Sequence, residues 1–149
     1  MSVVKKIFIA LIVLLVLIQF IRPDRNDGPL LSQNDIFAHY PSSDSVKNLV
    51  RVACYDCHSN HTNYPWYTNI QPVGLWMGHH VDEGKSKLNF SEFAAYPVKK
   101  ANRKLEETAE LLEKKEMPIS SYTLIHKDAD LDDQQRKLII DWAKGIEVH

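Results

Sequence analysis

Two cysteines and a histidine form the most specific chemical motif in this 149-residue chain. Cys54 and Cys57 are three residues apart and His58 follows directly, so on a helical turn all three side chains project toward one side. This Cys-x-x-Cys-His spacing is typical of covalent c-type haem attachment, in which each thiol adds to a vinyl group and the imidazole binds the iron. The motif therefore predicts one haem c held by Cys54 and Cys57, with His58 as an iron ligand.

The same residues suit two other kinds of site. Together with His61 they supply two thiols and two imidazoles, a set that fits tetrahedral zinc. A redox-active dithiol is the second alternative, but it normally follows a strand in a βαβ unit, and that pattern is not visible in this sequence. Because few five-residue motifs are as specific as Cys-x-x-Cys-His, haem attachment is the preferred interpretation.

A haem bound through His58 leaves the other face of its iron open to a second side chain. Met117 precedes Pro118, and a residue before proline is disfavoured in a helix, so the preceding helix must end there and display Met117 from an extended segment. The soft, neutral thioether of methionine suits an iron that is stable when reduced. Met117 is therefore the predicted second iron ligand. The alternatives are His80, His79, His126, His61 and Met77.

The Cys-x-x-Cys-His motif is predicted to lie at the end of a helix. Apolar residues at helical spacing begin after Asp44 or Ser45, either of which can cap a helix that runs directly into Cys54. Residues 59–71 are rich in Asn, Tyr and Pro, which predicts an ordered loop after the motif. The loop aromatics need a large apolar surface to cover, and a haem plane is such a surface.

Three further helices are predicted after this loop. A short one covers residues 72–81, with Gly84 as its stop signal. The clearest amphipathic pattern covers residues 99–116. The last helix begins at a capping box at Asp132 and ends at Gly145. The predicted fold class is therefore all-α, a small helical domain around one covalent haem.

An apolar run near the N-terminus is typical of an export signal. Lys5 and Lys6 precede the run, which continues to Ile21 without small residues that would mark a cleavage site. Residues 1–22 are therefore predicted to be an uncleaved signal anchor that forms a single transmembrane helix, just long enough to span a bilayer. An ordinary cleaved signal peptide is the alternative.

The rest of the composition fits one small domain. Residues 23–31 are polar and contain a glycine, which predicts a linker, and residues 32–149 are predicted to be the haem-binding domain. The formal net charge is −1, and the chain beyond the N-terminal segment is mildly acidic, so no nucleic-acid partner is expected. A nucleophile paired with a base, or a pair of carboxylates, is not evident. The sequence therefore predicts a protein that is not an enzyme.

Taken together, these motifs resemble those of the haem-binding domain family of small, exported bacterial c-type cytochromes. The similarity covers about residues 36–144. It rests on these segments and residues: Cys54-Tyr55-Asp56-Cys57-His58-Ser59-Asn60, Tyr64-Pro65-Trp66-Tyr67, His80-Val81, Glu83-Gly84, Leu88-Asn89-Phe90-Ser91, Met117-Pro118, Tyr122, His126 and Trp142. Similar proteins usually have a second proline after the Met-Pro pair, where this chain has Ile119.

The resemblance implies covalent haem on the two cysteines, with His58 as the proximal ligand, and a cytochrome c-like helical fold. It marks three residues for the opposite, distal side: His80, Met117 and His126. Because bacteria attach c-type haem on the outer side of the inner membrane, it implies a single-pass inner-membrane protein whose domain faces the periplasm. The predicted function is single-electron transfer between redox partner proteins. The alternative is a haem-based sensor of a small gas or of redox state, with an open or displaceable distal site.

Overall fold

The computed structural model describes residues 2–148, and every regular element within that range is helical. The α-helices are α1 (Val3–Ile18), α2 (Ile36–His39), α3 (Asp44–His58), α4 (Val73–Lys87), α5 (Val98–Glu113), α6 (Ser120–Thr123) and α7 (Asp133–Lys144). Three 3-10 helices lie at Trp66–Asn69, Phe90–Ala95 and Lys127–Ala129. The all-helical part of the predicted fold class agrees with this architecture.

The hydrophobic core lies between α3, α5 and α7. α3 contacts α4, α7 and two of the 3-10 helices, while α5 packs along α7. Side chains buried in this core include Val50, Leu105 and Ile139 from the three helices, and Phe90 and Phe93 from the second 3-10 helix. Full burial of one such side chain stabilises the fold by about 1.5–3 kcal/mol. α3, which carries the Cys-x-x-Cys-His motif, is therefore fixed by contacts on several sides.

α3 begins at a serine cap and runs without a break to His58. The Ser43 hydroxyl accepts a hydrogen bond from the Val46 backbone N–H at 3.3 Å. The predicted cap at Asp44 or Ser45 was therefore one or two residues late, because Ser43 is the residue whose hydroxyl reaches an unpaired N–H of the first turn. The motif forms the last turn of α3, as the sequence predicted.

α4 is longer than predicted, because Gly84 does not stop it. A Cβ atom on Gly84 would lie 2.8 Å from the carbonyl oxygen of Cys57 and 3.0 Å from its Cβ. The glycine therefore allows α4 to approach the last turn of α3 closely, and the helix continues to Lys87. Close packing between two helices, rather than helix termination, explains this glycine.

α5 ends before the predicted residue 116, in a Schellman motif. Lys115 has a left-handed backbone conformation with φ of 58°. The N–H of Glu116 donates to the carbonyl of Leu111 at 2.9 Å, and the N–H of Lys115 donates to that of Leu112 at 3.1 Å. These bonds satisfy carbonyls at the helix end and turn the chain, so Met117 is displayed from a non-helical segment.

α7 has the predicted ends. The Asp132 side chain accepts from the backbone N–H of Gln135 at 2.7 Å, and the Gln135 side chain accepts from the N–H of Asp132 at 2.9 Å. The helix ends at Lys144 with Gly145 as its C-cap. The capping box that the sequence indicated is confirmed.

α1 does not match the predicted transmembrane helix over residues 1–22. It contains 16 residues and buries none of them, and at about 1.5 Å per residue it is about 24 Å long, less than the roughly 30 Å of a bilayer core. Among residues 2–148, no helix combines the length and apolarity needed to cross a membrane. The predicted transmembrane helix is therefore wrong, and the predicted single-pass inner-membrane localisation is contradicted with it.

The reason for the shorter helix lies at Gln19, which the sequence prediction treated as an interruption within a longer apolar run. The Gln19 side-chain amide donates to the backbone carbonyl of Gln71 at 3.1 Å, and its oxygen accepts from the Gln71 N–H at 2.9 Å. This pair of bonds attaches Gln19, the residue directly after Ile18, to the loop that precedes α4.

The residues after α1 also contact the segment that follows the Cys-x-x-Cys-His motif. The Asn26 side chain donates to the carbonyl of Ser59 and to the hydroxyl of Thr62, both at 2.9 Å. The N–H of Gly28 donates to the carbonyl of Asn60 at 2.8 Å. Part of the segment predicted as a linker is thus hydrogen-bonded to the domain.

Candidate functional site

A cavity of about 440 Å³ lies beside the last turn of α3. Its walls come from α3, α4, α5 and the chain around Met117, and they are mainly apolar. Cys54, Cys57, His58 and Met117, the four predicted site residues, all line it. Cavities of about 300–1,000 Å³ with apolar walls and a few polar groups are typical of cofactor sites. The volume, the walls and a donor set of two thiols, an imidazole and a thioether fit a haem.

The His58 imidazole is held in one orientation by the backbone. Its Nδ1 lies 3.1 Å from the carbonyl oxygen of Leu88, so Nδ1 carries the hydrogen and donates it. Burial lowers the pKa of His58, although the backbone bonds near Leu88 and Gly84 oppose that effect. A neutral imidazole whose Nδ1–H is bound to a carbonyl has its Nε2 lone pair free, which is the usual state of a histidine that binds a metal.

The two cysteines are free, half-buried thiols. Burial raises the pKa of Cys54 to about 12, with a further contribution from Cys57. Burial also raises the pKa of Cys57 to about 11, with a contribution from the neighbouring Asp56. Reactive redox dithiols have thiol pKa values lowered to about 3.5–7.5. The environment of these thiols is therefore opposite to that of a redox-active dithiol.

The zinc alternative required His61 to lie near the two cysteines. Instead, Nδ1 of His61 donates to the carbonyl of Gly28 at 3.0 Å, and the residue forms an isolated bridge with Asp27. Within the range 2–148, no group of three or more His, Cys, Asp or Glu side chains is arranged to hold a metal ion. His61 is thus hydrogen-bonded to the N-terminal segment rather than placed beside the two cysteines.

Met117 and His80 are the two predicted distal candidates that line the cavity. Met117 is half-buried, and its backbone carbonyl accepts a hydrogen bond from the guanidinium of Arg136, a residue that is 8% exposed. His80 donates from Nδ1 to the carbonyl of Trp76 at 2.8 Å, and its ring centroid lies 4.1 Å from that of Trp76. The backbone of Met117 and the ring of His80 are therefore both held by hydrogen bonds beside the same cavity.

The other four candidates lie outside the cavity lining. His126 lies next to Tyr67, with its Nε2 2.8 Å from the Tyr67 hydroxyl. His79 is exposed on α4, and Met77 is buried within the contacts of that helix. His61 contacts the N-terminal segment as described above. Of the six candidate ligands, only Met117 and His80 therefore line the cavity.

Tyr122 and Asp56 are two cavity residues for which the sequence indicated no role. The Tyr122 hydroxyl donates to Oδ2 of Asp56 at 2.8 Å, across 66 residues of chain. Burial, followed by the charge of Asp56 and the hydrogen bond to it, raises the pKa of Tyr122 far above its usual range. Both residues occur in the motifs that carry the family resemblance, but only the fold brings them together.

Charged side chains of both signs line the remaining part of the cavity. Lys87 and Lys104 lie there with Glu83 and Glu107. Lys104 donates to Glu107, and this bond is the main reason that the pKa of Glu107 is lowered. The cavity therefore has an apolar interior next to the motif and a charged border whose formal charges balance.

Comparison with known proteins identifies one family. The model of the Haem-binding domain family matches residues 13–145, a range that includes every residue lining the cavity. No curated protein and no solved structure matches the chain. The family match covers most of the sequence and agrees with the volume, walls and donor set of the cavity. The chain belongs to the Haem-binding domain family.

Proposed function

We propose that this haem-binding protein carries its haem covalently, as haem c, and passes single electrons between redox partner proteins without being an enzyme itself. The observation that carries the proposal is the composition of one cavity. Cys54, Cys57 and His58 lie at the end of α3, and Met117, from the segment after α5, lines the same cavity. Two thiols, an imidazole and a thioether in one apolar cavity suit attachment of haem and six-coordinate iron.

The two thiols make the covalent attachment. Each thiol adds across one vinyl group: its sulfur bonds to one vinyl carbon and its hydrogen goes to the other, so no oxidant is consumed. The half-buried positions of Cys54 and Cys57 keep the two sulfurs on the wall formed by α3. Attachment at two points fixes the cofactor relative to His58, the next residue.

His58 and Met117 would hold the iron of a bound haem. When bound, haem supplies an iron that changes between two oxidation states. The hydrogen bond from His58 Nδ1 to Leu88 leaves the Nε2 lone pair free for coordination. The neutral thioether of Met117 favours the reduced iron relative to a second imidazole, and the apolar walls exclude water. Ligands that stay in place in both oxidation states keep the structural change on electron transfer small.

A sensor of a small gas or of redox state is the second candidate function. His80 lines the same cavity as Met117, so the chain offers two side chains for one coordination position. Ligand exchange of this kind is what a displaceable distal site requires. In a sensor whose distal site is open, Met117 would instead be only a packing residue.

Binding of carbon monoxide to the reduced protein distinguishes an electron carrier from a sensor. We expect the reduced, haem-loaded protein to resist carbon monoxide, because Met117 occupies the sixth position. Rapid and complete binding would favour the sensor. The visible absorption spectrum of the same sample reports the coordination state before the gas is added.

A further inference from the structure

Tyr122 connects the two sides of the haem cavity. The residue lines the cavity and lies in α6, the short helix after the Met117 segment. Its hydroxyl donates to Oδ2 of Asp56 at 2.8 Å and lies 3.5 Å from the carbonyl of Val52. Both acceptors belong to α3, the helix that carries His58. This contact therefore joins the segment of one proposed axial ligand to the helix of the other.

The Asp56 carboxylate, which accepts this bond, is held in place by other contacts. The residue is 8% exposed, and its Oδ1 accepts from the backbone N–H of Asn63 at 3.1 Å and from the Asn63 side chain at 3.2 Å. The Tyr122 ring is stacked on His126 with centroids 4.2 Å apart, and His126 contacts the Tyr67 hydroxyl. Contacts other than the bond between them thus hold both the Asp56 carboxylate and the Tyr122 ring in place.

The Met117 segment lies between the end of α5 and the start of α6, and the side chains of Arg136 and Tyr122 help to hold it. Arg136 of α7 donates to the Met117 carbonyl, which fixes the backbone on the side of the terminal helix. Tyr122 fixes the other end of the segment to Asp56. Of these two contacts, the one from Tyr122 joins the segment to α3.

We propose that Tyr122 is a positioning residue whose hydrogen bond to Asp56 keeps the Met117 segment closed over the haem and so keeps Met117 on the iron. This inference rests on the proposed function, in which Met117 is the distal ligand. If the bond is lost, the segment opens more often, and the thioether leaves the iron more often. A buried carboxylate that loses its donor is also left under-satisfied, which favours the open arrangement.

The test is the rate at which carbon monoxide binds to reduced, haem-loaded Tyr122→Phe protein. Carbon monoxide enters only when Met117 has left, so the rate reports the opening of the segment. We expect a rate about tenfold above that of the wild type, which corresponds to about 1.4 kcal/mol. We also expect a weaker far-red sulfur-to-iron charge-transfer band in the oxidised protein, with the covalent haem retained.

Tyr55→Phe is the matched control. Tyr55 lies beside Asp56 on α3, and its hydroxyl also contacts a buried aspartate, with 3.2 and 3.0 Å to the two carboxylate oxygens of Asp35. Asp35 precedes α2 and is not part of the Met117 segment. This variant loses a similar bond, so we expect reduced stability with a carbon monoxide rate close to that of the wild type.

The possible outcomes distinguish a failure of this inference from a failure of the proposed function. If the wild type lacks the charge-transfer band, Met117 is not the ligand and the proposed coordination fails. If the band is present but Tyr122→Phe and Tyr55→Phe bind carbon monoxide at equal rates, the positioning role of Tyr122 is wrong. Should Tyr122→Phe lose its helical circular dichroism, Asp56→Asn replaces it, because removing the charge weakens the same bond. A rate for Asp56→Asn no higher than that for Tyr55→Phe would then overturn the inference.

Discussion

The chemistry of the cavity depends on the orientation of single side chains. His58 could serve as donor or acceptor at either ring nitrogen, but the carbonyl of Leu88 selects the form with hydrogen on Nδ1. Burial lowers its pKa and so favours the neutral ring. The thiols of Cys54 and Cys57 stay protonated for the same reason, burial. The imidazole is therefore in the state that coordination requires, and both thiols carry the hydrogen that addition to a vinyl group transfers.

Replacing the cysteines tests the covalent bonds. In Cys54→Ala or Cys57→Ala one of two thioether bonds cannot form, so we expect weaker haem staining after denaturing electrophoresis, and no staining in the double variant. Met117→Ala is the control, because it leaves both thiols intact and should stain like the wild type. Loss of haem from the denatured wild-type protein would contradict covalent attachment.

Replacing Met117 tests the distal ligand. We expect Met117→Ala to lose the far-red charge-transfer band, to bind carbon monoxide readily when reduced, and to have a lower reduction potential, because the thioether favours reduced iron. His80→Ala should retain the band, since His80 is bonded to Trp76 and serves as packing. The opposite pattern, a bis-histidine spectrum that is lost in His80→Ala, would assign the ligand to His80.

At the scale of elements, the site depends on the contact between α3 and α4. Gly84 lies at this contact, where a Cβ atom would be 2.8 Å from the carbonyl oxygen of Cys57. In an exposed helix, replacing glycine by alanine stabilises by about 1 kcal/mol. Here the added methyl group meets backbone, which cannot move without displacing the last turn of α3. The sign of the effect should therefore be reversed.

We expect Gly84→Ala to lower the free energy of unfolding by about 1–3 kcal/mol, the usual range for overpacking. Asp82→Ala, an exposed position on the same helix, should change it by less than about 0.5 kcal/mol. Chemical denaturation followed by circular dichroism measures both. A stabilised Gly84→Ala protein would mean that the two helices are not in close contact.

The local signals at Asp132 and Pro118 were predicted correctly, whereas the cap of α3, which lies at Ser43, and the signals that depend on packing were not. The capping box at Asp132 is a local pattern, and it gave the right start for α7. Pro118 correctly required α5 to end before Met117, but the exact end depends on the left-handed Lys115, which sequence patterns do not favour for lysine. Gly84 was misread because its role is set by a neighbouring helix that is distant along the chain.

At the scale of the whole molecule, the sequence singled out four residues that line one cavity, but it did not reveal the long-range contacts. Four predicted residues line one cavity, because each has a distinctive residue type and spacing. The bond between Tyr122 and Asp56 spans 66 residues, and neither residue type signals it. The transmembrane prediction failed for a related reason. Gln19 was counted within a longer apolar run, whereas its contacts with Gln71 end α1 at Ile18.

The core of this small domain is completed by its cofactor, so removing haem should destabilise the whole fold. An apolar cavity costs about 24 cal/mol per Å³, so a dry cavity of about 440 Å³ would cost roughly 10 kcal/mol. That is comparable with the entire stability of a typical domain, about 5–15 kcal/mol. Water entering the open cavity relieves part of the cost.

We therefore expect the wild-type chain prepared without haem to be at least about 3 kcal/mol less stable than the loaded protein in chemical denaturation. The Cys54→Ala and Cys57→Ala double variant, also kept free of haem, should behave like the haem-free wild type, which separates the effect of the cavity from that of the substitutions. Hydrogen exchange should locate the loss in α3 and α5, because both helices form walls of the cavity, and spare the contacts of α2. Equal denaturation midpoints with and without haem would mean that the helices pack independently of the cofactor, and that the cavity is a surface groove rather than part of the core.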